Sequence, residues 1–97
     1  MKEHTKTIST KTEAQIQRAI LVKLEKLGWY VIKLIQTNKN GIPDLLCHKD
    51  GRTVYIEVKR PGHKPRALQL FRMRELDGAG VECFVMSDIN ELERLDT

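Results

Sequence analysis

The sequence predicts an α/β fold, a mixed sheet flanked by helices, with elements in the order α-β-β-β-α-β-α. Three observations carry that expectation. A capped amphipathic helix occupies Thr12 to Gly28. A tight hairpin, DLLCHKDGRTVYIEVK, follows one further strand. A second helix then leads into VECFVMS, the arrangement a crossover between parallel strands requires.

Each element has a local cause. Thr12 is a natural N-cap with Gln15 three residues on, a capping box, and Gly28 suits the position after the helix end. The helix carries an apolar stripe of Ile16, Ile20, Leu24 and Leu27. WYVIKLI, residues 29–35, reads as a strand, with Trp29 and Tyr30 as core residues. QTNKNGI is a polar loop, and Pro43 sets an extended approach to a short strand over 44–48. Asp50-Gly51 marks a two-residue hairpin turn, and the third strand spans 53–59. RPGHKP is a loop, and Pro65 suits the first turn of a helix over 65–77. Gly78 and Gly80 end that helix, and 81–87 is the fourth strand. Asp88 with Glu91 forms a second capping box, and Ile89, Leu92 and Leu95 give a last helix one apolar side.

Composition narrows the class. Ninety-seven residues, 40% hydrophobic and 31% charged, fit one globular domain over 12–97 behind a flexible tail of residues 1–11. No run approaches the ~20 apolar residues of a membrane span, so no membrane partner is expected. Cys47 and Cys83 lack metal-site spacing and fall in apolar strands, as two buried free thiols in a cytoplasm would. The net charge is +4, unevenly spread. Residues 1–74 hold 16 basic and 6 acidic side chains, a balance of +10, whereas 75–97 hold 1 and 7, a balance of −6. A basic body suits a polyanion, of which nucleic acid is the commonest.

The hairpin raises the chemical question. With a two-residue turn Lys49 pairs with Arg52, and the register then sets Asp44 opposite Glu57. Directly opposed Cβ atoms lie roughly 4.5–5.5 Å apart. Alternation puts Glu57 and Lys59 on one face and Val54, Ile56 and Val58 on the other, joined by Leu45 and Cys47. Two opposed acids can be tolerated on a solvated face with Lys59 offsetting them, or held together by a cation. Glu13 extends the apolar stripe of the first helix by one step, so it sits at the helix end on the core side. It serves there either the helix dipole or the acidic cluster.

The helix over 65–77 has apolar residues around nearly its whole circumference: Ala67, Leu68, Leu70, Phe71, Met73 and Leu76. Such a helix is buried on more than one side. Either the last helix covers the second side or another subunit does, and a homodimer is the expectation.

Gly41-Ile42-Pro43-Asp44 followed by Glu57-Val58-Lys59 resembles the PD-(D/E)XK nuclease signature. The αβββαβ order is the restriction-endonuclease-like core of that superfamily. Adding Glu13, Gln69 and the stretch LDGAGVECFV, the chain resembles the VRR-NUC family, the virus-type replication-repair nucleases, over about residues 12–87, in the small standalone form found in phages. Lys64-Pro65 departs from the expected helix entry and puts the local start of that helix in question. The resemblance implies a metal-dependent deoxyribonuclease working in a phage or bacterial host cytoplasm. It implies catalytic roles for Asp44, Glu57 and Lys59, a supporting role for Glu13 at the metal or water, and a holding role for Gln69. For standalone members it also implies branched DNA, such as a four-way (Holliday) junction, as substrate.

The residue types suit that chemistry. Carboxylate oxygens select hard cations such as Mg²⁺ or Mn²⁺. Asp44, Glu57 and the Val58 carbonyl are the expected ligands, with Glu13 a further candidate. Lys59 can orient a water or stabilise developing charge. Arg60, His63, Lys64 and Arg66 surround a loop ending at a helix N-terminus, which with Lys39 forms the expected DNA contact. No base-reading element stands out. The alternatives are a flap or nicking nuclease of the same fold, or a basic nucleic-acid-binding module without catalysis.

Overall fold

A computed structural model describes residues 11–96. The expected tail lies outside them apart from Lys11. The first helix, α1 (Glu13–Lys26), starts from the Thr12 box. The Gln15 N–H donates to Thr12 Oγ1 at 3.1 Å and the Thr12 N–H to Gln15 Oε1 at 2.8 Å. It ends as Gly28 turns the chain at φ 93°. Ile16, Ile20 and Leu24 are buried, but Leu27 is not part of the stripe. It is the C-cap, 44% exposed, and its carbonyl accepts the Lys49 ammonium at 2.7 Å.

The sheet runs β1 (Tyr30–Lys33), β2 (Leu45–Lys49), β3 (Arg52–Val58) and β4 (Glu82–Met86), in that spatial order. The first two pairings are antiparallel and the third is parallel. Asp50 at φ 50° and Gly51 at φ 80° give the turn both its positive φ angles. The register follows from it, from Lys49 opposite Arg52 to Leu45 opposite Ile56. One sheet face carries Leu45, Cys47, Val54, Ile56, Val58 and Met86, sealed by α1, Trp29, Leu92 and Leu95. At the turn end of the sheet, Arg52 makes a two-point contact with Glu82 on β4, both distances 2.8 Å. Its guanidinium also donates to the Leu95 carbonyl and lies over the Trp29 ring.

The second helix, α2 (Ala67–Gly78), belongs to the opposite face, where Gln69 reaches Glu57. Three expectations need correction here. The helix starts at Ala67, not Pro65, because the Arg66 N–H is capped by Gln69 Oε1 at 2.8 Å. The RPGH stretch ahead of it is a loop as expected, turned by the His63 N–H on the Arg60 carbonyl at 3.0 Å, with Gly62 at φ 83°. The last element is a 3₁₀ segment, Ile89–Asp96, whose apolar residues recur every three positions as three residues per turn require. Its start differs from a capping box: Asp88 accepts the Asn90 N–H and Glu91 accepts the Ser87 N–H, each at 2.7 Å. It packs on α1 and β4, so it does not cover the outer side of α2, where Leu68, Leu70 and Phe71 are exposed.

The remaining corrections follow from the edge of the sheet. β1 is the edge strand and is shorter than residues 29–35. Trp29 is buried as expected, but Tyr30 is 69% exposed, because no element covers the outer face there. Cys83 is half-buried, whereas Cys47 is fully enclosed. Burial pushes the Cys47 thiol up to about 12 and Cys83 up to about 11, so neither is a thiolate near neutrality. No described helix is long and apolar enough to cross a membrane.

Candidate active site

Three segments meet where β2 begins and β3 ends. Asp44 enters from a loop tied to its surroundings on two sides. The Leu34 N–H donates to the Asp44 carbonyl at 2.8 Å, extending the β1–β2 pairing. Arg72 of α2 donates to the Asn40 carbonyl at 2.8 Å. Gly41, at φ 84°, lies so close to α2 that a Cβ would sit 2.8 Å from Leu68 Cγ. A side chain at 41 would therefore push the Asp44 approach away from the helix that carries Gln69.

The side chains of Asp44, Glu57 and Lys59 converge as the hairpin register requires. Asp44 Oδ2 accepts the Val58 N–H at 2.8 Å. Glu57 is 1% exposed, with Oε2 accepting from Gln69 Nε2 at 2.8 Å and lying 3.3 Å from Lys59 Nζ. Lys59 is itself buried. Glu57 Oε1 is buried with no hydrogen-bond partner. Burial first, and the Asp44 charge second, push the Glu57 carboxyl up to about 7, against the opposing pull of Lys59. Asp44 is also raised, by burial and the Glu13 charge, although the Val58 N–H opposes this. Glu13, half-buried in the first turn of α1, thus stands near enough for its charge to act on both carboxylates.

Gln69 holds two elements with one amide. Its oxygen caps α2 at Arg66 and its nitrogen holds Glu57, which fixes the amide orientation. Gln17, one turn beyond Glu13 on α1, lies near enough to Asp44 to oppose the rise in its pKa. Sequence reasoning missed it; the available signal was its i+4 spacing from Glu13. Lys39, Arg60, His63, Lys64 and Arg66 are all exposed. One of the amides at the start of α2 is already taken by Gln69, so a phosphate there would meet the side chains first.

The donor set fits a hard divalent cation. A buried carboxylate oxygen without a partner, beside a second carboxylate of raised pKa, is a site that gains from positive charge. Among the described residues no group of three or more His, Cys, Asp or Glu side chains gathers to hold a metal. An ion would therefore rest on Asp44, Glu57 and the Val58 carbonyl, with water completing its shell, as Mg²⁺ prefers.

No family model matches the chain. It is 28% identical over 75 residues to "Putative nuclease p44" of Acyrthosiphon pisum secondary endosymbiont phage 1, covering 76% of this chain and 81% of that protein. Among solved structures, a VRR_NUC domain matches with a TM-score of 0.76 at 29% identity, over 87% of this chain and 92% of that one. A VRR_NUC domain protein at 17% identity shares the fold, with a TM-score of 0.62 over 92% of this chain and 88% of that one. This fold and these relatives make the chain similar to the VRR-NUC family.

Proposed function

We propose that the chain is a divalent-metal-dependent endonuclease that hydrolyses DNA phosphodiester bonds and prefers branched DNA such as a four-way junction. The buried, unpartnered Glu57 Oε1 beside Asp44 carries the catalytic part, because a module that only bound DNA would gain nothing from it. The relatives named for nuclease domains support the same reading. Mg²⁺ or Mn²⁺ bound there would neutralise phosphate charge and acidify a water. Asp44 and Glu57 supply the negative charge that selects such an ion. Lys59, held 3.3 Å from Glu57, presents its ammonium to charge developing on the phosphate. Glu13 adds a third negative charge at the edge of the site. The exposed Arg60, His63, Lys64, Arg66 and Lys39 side chains supply the grip on the DNA backbone.

The test is cleavage of a labelled four-way junction, a linear duplex and single-stranded DNA, each with Mg²⁺, Mn²⁺ or chelator. The expected result is metal-dependent cutting that favours the junction and is lost in Asp44→Ala. Cutting in chelator would remove the metal, and equal cutting of all three DNAs would remove the branch preference.

The exposed outer side of α2, with Leu68, Leu70 and Phe71 each 43–45% accessible, supports a homodimer, since nothing in the described residues covers it. Light scattering at micromolar concentration is expected to give twice the monomer mass of 11.2 kDa. A mass of one chain at every concentration would end the dimer argument.

A further inference from the structure

We propose that Arg72 is a positioning residue for the candidate site: it latches α2 to the loop that leads into Asp44, and so keeps the Gln69 amide on Glu57. The inference rests on the metal-dependent reading above and names a residue which that reading does not use. Three observations carry it.

The first is how lightly α2 is otherwise held. Among the described residues the apolar core takes nothing from α2, and Gln69 is the one buried side chain of that helix. Met73 and Leu76 are half-buried, while Leu68, Leu70 and Phe71 are exposed. An element with so little buried apolar contact opens more readily than the core does. Its position over Glu57 therefore depends on polar ties.

The second is the latch itself. Arg72 Nε donates to the Asn40 carbonyl at 2.8 Å, from α2 to a loop 32 residues away in sequence. Nη1 donates to Glu75 Oε1 at 2.9 Å, one turn further along the helix. The Arg72 side chain is only 19% exposed. Glu75 offsets its charge, and the planar guanidinium fixes the direction of both bonds together.

The third is where the latch leads. Arg72 and Gln69 stand three positions apart, so one turn of α2 presents both. Gln69 Nε2 holds Glu57 at 2.8 Å, and Arg72 holds the path of the loop ahead of Asp44. Leu68, one turn before Arg72, backs the contact against Gly41. The run from Asn40 to Asp44 is short, and Pro43 within it is fully buried with a fixed φ, so the latch bears on a stiff segment. Without Arg72 the helix can tilt, and the Gln69 amide then no longer fixes the direction of the Glu57 carboxylate. Groups that orient a metal ligand from behind typically change metal affinity or activity by about 10–100-fold when removed.

The experiment pairs amide hydrogen exchange in chelator with calorimetric Mn²⁺ titration, for the wild type, Arg72→Met and Arg72→Lys, with Asp44→Ala as reference. Methionine keeps the helix propensity and the apolar stem but removes every donor. In Arg72→Met the amides of α2 should exchange about tenfold faster, while those of α1 and β3 stay close to wild type. A general loss of stability would instead move all three elements together. The Mn²⁺ dissociation constant should rise by about tenfold. Lysine can still donate to the Asn40 carbonyl but lacks the fork, so it should recover part of both losses. Adding Arg72→Met to Gln69→Met should weaken Mn²⁺ binding little further, because the latch acts through that amide. Unchanged α2 exchange in Arg72→Met, or Mn²⁺ affinity within about twofold of wild type, overturns the proposal while leaving the nuclease reading intact. Losses in Arg72→Lys as large as in Arg72→Met overturn the carbonyl contact as their cause. Losses that multiply in the double variant overturn the route through Gln69. A wild type that takes up no more Mn²⁺ than Asp44→Ala overturns the metal-dependent reading and this inference with it.

Discussion

Glu57→Gln is expected to abolish cleavage while making the metal-free protein more stable at pH 8. The Glu57 carboxyl is raised from an ordinary 4.5 to about 7, by burial and then by the Asp44 charge. A raised folded-state pKa means that the native chain holds this proton more tightly than the unfolded chain does. Its contribution to stability is complete below about pH 4.5 and is lost as pH rises through about 7. At pH 8 the wild type therefore carries two repelling carboxylates, Glu57 buried and Asp44 half-buried, and glutamine removes one charge while keeping an oxygen for Gln69 and Lys59. Each pKa unit corresponds to about 1.4 kcal/mol, so a shift from 4.5 to about 7 gives a gain on the order of 3 kcal/mol. For a domain of this size that raises the melting temperature by about 10 °C or more. Thermal unfolding in chelator at pH 5 and pH 8 tests this, with the difference between the proteins shrinking at pH 5. Mn²⁺ should then stabilise the wild type more than the variant. Cleavage should fall by about 10³-fold or more, and equal melting temperatures at pH 8 would contradict the electrostatic account.

Lys59→Ala is expected to separate turnover from grip. The ammonium is buried and engaged with Glu57, so it contributes little to the exposed basic surface that meets a DNA backbone. Removing a group that stabilises developing charge costs about 10²–10³-fold in turnover. DNA affinity measured in chelator should change by less than about threefold, given that a single screened phosphate contact is all that is at stake. Single-turnover cleavage and filter binding on the same junction read the two quantities. Unchanged turnover would return Lys59 to simple charge balance for the hairpin acids.

How much of this was legible depended on how local each cause is. The hairpin register was, because Asp50-Gly51 specifies its own turn and the turn then aligns Asp44 with the end of β3. The Thr12 box and the Gly28 stop were legible for the same reason. Tyr30 was misjudged because β-propensity does not say whether a strand will be covered on both faces, and β1 ends up at an edge. The start of α2 was misplaced because Gln69, not Pro65, decides it, through a bond to Arg66 that no local rule for Arg anticipates. The 3₁₀ form of the last segment had a signal, the strict spacing of Ile89, Leu92 and Leu95, which fits three residues per turn better than 3.6. In the site, Asp44, Glu57 and Lys59 followed from alternation, and Glu13 from the helix stripe. The part played by Gln69 came from family resemblance alone, since its partner is twelve residues away on another element. Gln17 escaped because a glutamine beside an apolar stripe looks like ordinary helix surface.

The Arg52 contacts with Glu82, Leu95 and Trp29 lie at the start of β3, and Glu57 lies five residues further along it. At about 3.3 Å per residue, those two positions are roughly 17 Å apart. Changes separated by more than about 7–10 Å without shared partners usually add independently. This geometry gives the chain a way to vary. Robustness can be tuned around one end of a single strand while chemistry is tuned at the other, and neither kind of change has to be accepted or rejected on account of the other. A lineage that acquires a harsher catalytic cluster can thus recover its foldedness elsewhere on the same seven-residue strand.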